Sequence, residues 1–150
     1  MLTDLVLASF HHLLFFGLVS MLVAQSVLLR GRIDGGVLAK LGGIDRGYGI
    51  TAVLLLVVGL LRVFYGIKGY DFYLHNPWFH AKIGAFLLVG VLSIWPTVRF
   101  LRWRRQLAAN PAFLPAPAEV AGLARIVRFE LMLVAVIFVC AAAMARYGGF

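Results

Sequence analysis

The stretch that decides the fold comprises residues 48–67, which read YGITAVLLLVVGLLRVFYGI. It carries a single charged side chain, Arg62. A membrane-spanning helix needs about 20 mostly apolar residues, and this stretch supplies them. Because lipid offers the backbone no hydrogen-bond partners, such a stretch has to be helical. We therefore predict a transmembrane helix at this position.

Three further stretches of the same kind lie on either side of it. The four predicted spans are residues 4–29, 48–67, 77–98 and 123–146. The chain is 63% hydrophobic and 13% charged, whereas soluble domains carry about 25% charged residues. The sequence therefore predicts an all-α integral membrane four-helix bundle, in which residues 1–150 form one domain surrounded by the lipid bilayer.

The basic residues are concentrated in two of the three connections between spans. The first connection, residues 30–47, carries Arg30, Arg32, Lys40 and Arg46, and the third carries Arg99, Arg102, Arg104, Arg105 and Arg125. The second connection carries only Lys68. Because cytoplasmic loops are enriched in Lys and Arg, we predict that these two connections face the cytoplasm and that both termini lie outside. The same enrichment explains the net charge of +8, so we expect no nucleic-acid partner.

Several basic side chains fall inside the predicted spans, near their outer ends. They are His11, His12, Arg62, His80 and Lys82. Antiparallel threading of the helices brings all of them to a similar depth in the outer leaflet. Ionisable side chains within a membrane are costly, and they usually face the bundle interior and mark a functional site. We therefore predict that these residues form the site.

The two histidines of the first helix cannot both point into that site, because consecutive helical positions diverge by about 100°. A polar stripe through Asp4 and Gln25 favours His11. The greater depth of His12 favours that residue, and we prefer it slightly.

The neighbouring faces suggest where a bulky ligand would find room. Arg62 shares an inward face with Gly59, and His80 shares a face with Gly84, whereas Lys82 points roughly the opposite way. Small residues near the histidine level are Gly17, Gly59, Gly84 and Ala141. We expect these positions to leave space between the helices.

The remaining polar groups have structural explanations. We expect Glu130 to pair with Arg125 or Arg128, and His75 to serve as a hydrogen-bonding residue of a loop. Cys140 is the only cysteine, so no intrachain disulfide can form, and we interpret it as a packing residue.

Two segments, residues 62–70 (RVFYGIKGY) and 76–82 (NPWFHAK), resemble an uncharacterised family of bacterial four-helix membrane proteins. The likeness covers essentially the whole chain. That family is in turn distantly similar to HemJ-type protoporphyrinogen oxidase, a haem b protein, and to CopD-type membrane domains. HemJ-type proteins have a histidine early in helix 1, an Arg late in helix 2, and Pro-Trp-x-His-x-Lys at the start of helix 3. The matching positions here are His11 or His12, Arg62, His80 and Lys82, although this chain has two helix-1 histidines and lacks the Trp that follows in that family.

The resemblance implies a bacterial inner-membrane protein that binds haem b. Its axial ligands would be His80 and a helix-1 histidine, either His11 or the slightly preferred His12, with Arg62 and Lys82 at the propionates or at an anionic substrate. We therefore interpret the chain as a membrane b-type haem protein with a redox or electron-transfer role, of which a porphyrinogen-oxidase-like activity is one form. Its redox partner is not identified, and we assign no catalytic residue.

Two alternative functions stay open. Imidazole also binds copper and zinc, so the same residues would suit a metal (copper) or small-solute membrane transporter. The chain could equally be a non-catalytic membrane assembly factor. A stripe of small residues on the first helix, Gly17, Ser20 and Ala24, allows close packing of two copies in a homodimer.

Overall fold

A computed structural model describes residues 2–66 and 68–147. Within those ranges the elements are α1 (Leu2–Arg30), α2 (Gly35–Tyr65), α3 (Gly69–Leu74), α4 (Pro77–Ala109) and α5 (Pro117–Arg146), with no strand. The four long helices are long and apolar enough to cross a membrane, which confirms the predicted all-α membrane four-helix bundle. Ile67, the predicted end of the second span, lies outside the described residues.

The four long helices form a closed, antiparallel ring. α1 packs against α2 and α5, and α4 packs against the same two helices, so α1 lies diagonally opposite α4. The short helix α3 packs on α2 and α4, and marks what we call the α3 end of the bundle. Leu22, Leu41 and Val127 are fully buried at the centre. Every long helix therefore presents one side to a shared interior.

The outer surface of the bundle is apolar. Side chains such as Phe16 (72% exposed) and Val91 (64% exposed) face away from the core, and no more than 28% of any spanning window is buried. Contiguous apolar surface on this scale is not found on soluble monomers. Burying it requires lipid, so the chain is a multi-pass membrane protein.

The helices extend beyond the predicted spans at the end remote from α3, which we call the far end. Residues 30–47 do not form the predicted loop, because α2 already begins at Gly35. The carboxylate of Asp34 caps this helix by accepting a hydrogen bond of 2.8 Å from the amide of Val37. α4 likewise continues to Ala109. Lys40 and Asp45, expected in the loop, therefore lie on a helix.

Candidate functional site

A cavity of about 100 Å³ lies between the helices near the α3 end. His11 of α1, Arg62 of α2 and Lys82 of α4 line it, and we call it the basic pocket. Its other walls are glycine, aliphatic, aromatic and thioether groups: Phe15, Leu55, Leu56, Gly59, Leu60, Val63, Tyr73, Phe79, Ile83, Phe86, Ile137 and Met144. Of the described residues that line the cavity, none carries a carboxylate.

Gly59 brings α1 and α2 close together at this level. A Cβ atom on Gly59 would lie only 3.2 Å from Cε1 of His11, so the imidazole packs against bare backbone. Arg62 follows Gly59 by almost one helical turn and therefore faces the same cavity. This agrees with the prediction that Arg62 points into the bundle. Because Gly59 has no side chain, the imidazole of His11 and the guanidinium of Arg62 can line the same cavity.

Two polar atoms of the pocket residues are buried without a hydrogen-bond partner in the described part of the chain. They are Nδ1 of His11 and Nε of Arg62. A buried polar atom left unpaired costs about 1–3 kcal/mol, and more when the group is charged. Both atoms are therefore ready to bond to a ligand group, with the imidazole acting as donor or acceptor according to its tautomer.

Tyr73 of α3 and Phe79 of α4 close the pocket toward the α3 end. Their rings lie 5.4 Å apart between centroids, and Lys82 Nζ lies 5.6 Å from the Phe79 centroid. Burial raises the pKa of the Tyr73 hydroxyl, and the positive charge of Arg62 opposes that shift in part. Tyr73 therefore stays neutral, and its hydroxyl can donate or accept a hydrogen bond.

An acidic residue, Asp4, lies close to this region, next to Gly66. Its Oδ1 is 3.3 Å from the position that a Cβ on Gly66 would occupy, and such a Cβ would also collide with the carbonyl oxygen of Arg62. Asp4 is not among the residues that line the cavity. The pocket itself is thus positively charged, with aromatic and aliphatic walls.

The structure does not bring His12 and His80 together. His12 is exposed, and its Nδ1 lies 2.6 Å from the carbonyl oxygen of Ala8. His80 is also exposed, and its Nε2 lies 2.8 Å from the carbonyl oxygen of Leu74. Neither histidine lines the basic pocket. This arrangement does not support His12 and His80 as a ligand pair. His11 is the histidine that lines the same cavity as Arg62 and Lys82.

The predicted orientation of α4 is wrong. The face that follows His80 points outward, since Leu87 is 56% exposed and no atom lies within 4 Å of a Cβ built on Gly84. Lys82, expected on the opposite side, lines the pocket. Of the small residues predicted to make room for a ligand, only Gly59 does so. Among the residues described, no group of three or more His, Cys, Asp or Glu could hold a metal ion.

A second polar site lies toward the far end of the bundle, about 21 Å from the basic pocket along the helices, since Gln25 follows His11 by four turns. It joins Gln25 of α1, Asp45 of α2, Thr97 of α4 and Glu130 of α5, and we call these residues the acidic cluster. Asp45 Oδ1 accepts hydrogen bonds from Thr97 Oγ1 at 3.1 Å and from Gln25 Nε2 at 3.5 Å. Glu130 is 1% exposed, and its Oε1 has no partner among the residues described.

The acidic cluster was not predicted from the sequence. Glu130 was expected to pair with Arg125 or Arg128, but both arginines are exposed and Glu130 forms no ion pair with any described residue. Pairing with either would require the carboxylate to leave the core of the bundle. The sequence signal that bears on it is the stripe through His11 and Gln25, which marks the inward face of α1 but does not bring Asp45 to that face.

Comparison with known proteins gives one match. A family model described as "Predicted membrane protein (DUF2214)" matches residues 3–149. No curated protein and no solved structure matches the chain. The extent of the match agrees with the predicted resemblance to a family of membrane proteins. The more distant likeness to HemJ-type and CopD-type proteins stays a prediction.

Proposed function

The chain belongs to the DUF2214 family of predicted membrane proteins, and from this premise we propose that it binds an anionic, largely apolar ligand in the basic pocket. The observation that carries the proposal is the convergence of His11, Arg62 and Lys82 from three different helices on one cavity. Their convergence is more informative than any one of them, because a single basic residue near a helix end often only extends toward the headgroups.

The charge of the pocket supports an anion. Arg62 and Lys82 are half-buried among apolar and aromatic walls, where an uncompensated positive charge is costly. A carboxylate on the ligand would compensate that charge, and guanidinium groups bind carboxylates with two parallel hydrogen bonds. The same charges would repel a metal cation. The geometry therefore favours an anionic ligand over the transport of copper through this site.

We propose haem b as that ligand, and with it a redox or electron-transfer role. The donor set fits, since the imidazole of His11 could ligate iron and Arg62 and Lys82 would hold the propionates. Bound haem would supply one-electron chemistry. The cavity of about 100 Å³ is smaller than the ~300–1,000 Å³ of most small-molecule sites. The cavity would therefore have to widen to admit haem.

Recognition of the carboxylates can be tested with two ligands that differ only there. Purified protein in detergent is titrated with hemin and with hemin dimethyl ester, whose propionates are uncharged. Charge-assisted hydrogen bonds contribute about 1.5–3 kcal/mol, so we expect hemin to bind about 10- to 150-fold more tightly than the ester. In Arg62→Gln this ratio should fall, while Lys82 keeps part of the preference for hemin.

Lys68→Gln is the matched control, because Lys68 is an exposed cation at the same end of the bundle whose Nζ lies 4.4 Å from the Phe72 ring centroid. It should leave the ratio unchanged. Equal affinity of the wild-type protein for hemin and its ester would refute carboxylate recognition. Failure to bind hemin, together with Arg62-dependent binding of palmitate, would retain the anion site and exclude haem.

We also propose the inner membrane as the location, with both termini and the basic pocket on the outer side. Support comes from the positions of the two connections richest in arginine. The turn at residues 31–34, which contains Arg32, lies at the far end of the bundle. The segment at residues 110–116 lies at the same end and follows Arg104 and Arg105 of α4. Reporter fusions within these two connections should read out as cytoplasmic. A periplasmic readout from either connection would contradict this orientation.

A further inference from the structure

The acidic cluster takes no part in the function proposed above, and its burial requires a separate explanation. Asp45 is 7% exposed and Glu130 is 1% exposed, in a part of the bundle where all four long helices contribute a side chain. A buried carboxylate is stable when it is paired with a cation, when it accepts several hydrogen bonds, or when it carries a proton.

The two carboxyl groups differ in their surroundings. Asp45 accepts hydrogen bonds from Thr97 and Gln25, which stabilise a negative charge. Glu130 Oε1 accepts none in the described part of the chain, although the side chain is almost wholly buried. Asp45 and Glu130 are near enough to interact electrostatically with each other and with the hydroxyl of Tyr48. Two negative charges close together in a water-poor interior repel each other strongly.

No positive charge among the described residues compensates them. α1 contributes the neutral side chains of Gln25 and Ser26, and α4 contributes Thr97. Arg99, which lies two residues beyond Thr97, is bound to Glu119 at 2.8 Å and stacks on Trp95 at 5.2 Å from the ring centroid. The exposed arginines at this level, Arg46 and Arg128, point away from the interior.

We propose that the acidic cluster is a proton-binding site within the bundle, in which Glu130 carries the proton and Asp45 carries the negative charge. A protonated carboxyl group acquires an O–H donor and loses its charge, which removes both the repulsion and the desolvation cost. The polar groups around Asp45 then have a role, since they hold the remaining charge in place. This proposal is independent of which ligand occupies the basic pocket.

A hydrophobic carbodiimide tests the protonation state directly. The carboxyl O–H transfers its proton to a carbodiimide nitrogen while the carboxylate oxygen bonds to the central carbon, and the acyl group then migrates to nitrogen as a stable N-acylurea. The product is heavier by one carbodiimide, and peptide mass spectrometry locates it. We expect labelling of Glu130 at neutral pH, loss of the label in Glu130→Gln, and retention of the label in Glu119→Gln. Glu119 is the matched control because its carboxylate forms an ion pair with Arg99 and is partly exposed.

Asp45→Asn supplies a readout that a purely structural role would not change. Removing the neighbouring negative charge makes ionisation of Glu130 easier, so labelling of Glu130 should disappear at a lower pH than in the wild-type protein. An unchanged pH midpoint would overturn the assignment of the charge to Asp45. Suppression of labelling by sodium, relative to choline at the same ionic strength, would overturn the proposal in favour of a metal cation.

Infrared spectroscopy covers the case in which the carbodiimide does not reach the site. The wild-type protein should show a carbonyl band of a protonated carboxylic acid that shifts in D₂O and is absent from Glu130→Gln. Absence of both the label and this band in a folded wild-type protein would overturn the proposal.

Discussion

The two polar sites of this bundle are opposite in charge and in access. In the basic pocket, His11, Arg62 and Lys82 are half-buried around a cavity. In the acidic cluster, Asp45 and Glu130 are closed off by side chains from all four long helices. A site that is charged and has an adjoining cavity is suited to a ligand. A site that is charged and closed has to balance its charge internally, through hydrogen bonds or a proton.

An apolar layer separates the two sites. Leu18, Leu22 and Val134 are all buried between them and belong to the same core. Effects of substitutions more than about 7–10 Å apart usually add independently, and these sites are about 21 Å apart along the helices. Substitutions in one site should therefore leave the other unchanged. The predictions below use that independence.

The largest effect is expected from His11→Ala. If His11 is the axial ligand, its removal should abolish the Soret band of protein reconstituted with hemin, because the other histidines of the chain lie outside the pocket. His12→Ala and His80→Ala are the controls and should retain the band. Absorption spectra of the oxidised and reduced proteins measure the outcome. A band that is lost in His80→Ala and kept in His11→Ala would reinstate the ligand predicted from the sequence.

Asp45→Ala should destabilise the fold without affecting hemin binding. It leaves the buried Gln25 amide and the part-buried Thr97 hydroxyl without their acceptor, which costs about 1–3 kcal/mol. Asp45→Asn keeps an acceptor oxygen at the same place and should cost less. Denaturation in detergent, followed by circular dichroism, gives the free energy of unfolding. A stability equal to that of the wild-type protein in Asp45→Ala would mean that these hydrogen bonds contribute nothing net.

The sequence predicts the basic pocket better than the acidic cluster, for a physical reason. Long apolar runs identify the spans, and counting residues from their ends brings Arg62 and Lys82 to one depth, since the rise per residue of a helix is fixed. The facing of α4 could not be predicted, because a helix that is apolar all round carries no polar stripe to mark its buried side. His80 is exposed and Lys82 faces inward because of how α4 packs against its neighbours, which the residue pattern does not reveal.

The inward position of Asp45 could not be predicted for a different reason. It lies in residues 30–47, where glycines and basic residues are typical of a loop. Each glycine in a helix costs about 1 kcal/mol relative to alanine, yet α2 continues through the whole of residues 35–47. Contacts of the buried Leu38 and Leu41 with the rest of the core override that local preference. Such tertiary contacts cannot be obtained from composition, so the acidic cluster required the structure.

Gly59→Ala should weaken hemin binding moderately. The new methyl group would lie 3.2 Å from Cε1 of His11, so the imidazole has to shift by a few tenths of an ångström. Overpacking of this kind costs about 1 kcal/mol or more, which corresponds to roughly fivefold weaker binding. Gly84→Ala is the matched control, since no atom lies within 4 Å of the added methyl group. Equal affinities of the two variants would mean that the ring of His11 is not held by this contact.

The smallest effect is expected from the ion pair between Arg99 and Glu119, which provides an exposed counterpart to the acidic cluster. The two side chains are each 28% exposed and lie 2.8 Å apart. Water and salt screen such a pair, so a double-mutant cycle with Arg99→Ala and Glu119→Ala should give a coupling free energy of about 0.2–1 kcal/mol. The cycle is needed because Arg99→Ala also removes the contact with Trp95.

The coupling should fall further in about 1 M salt, where the screening length is ~3 Å. A coupling that remains large in high salt would mean that the far end of the bundle excludes water even at its rim. In that case the difference in burial alone could not explain why Asp45 and Glu130 lack the cationic partner that Glu119 has.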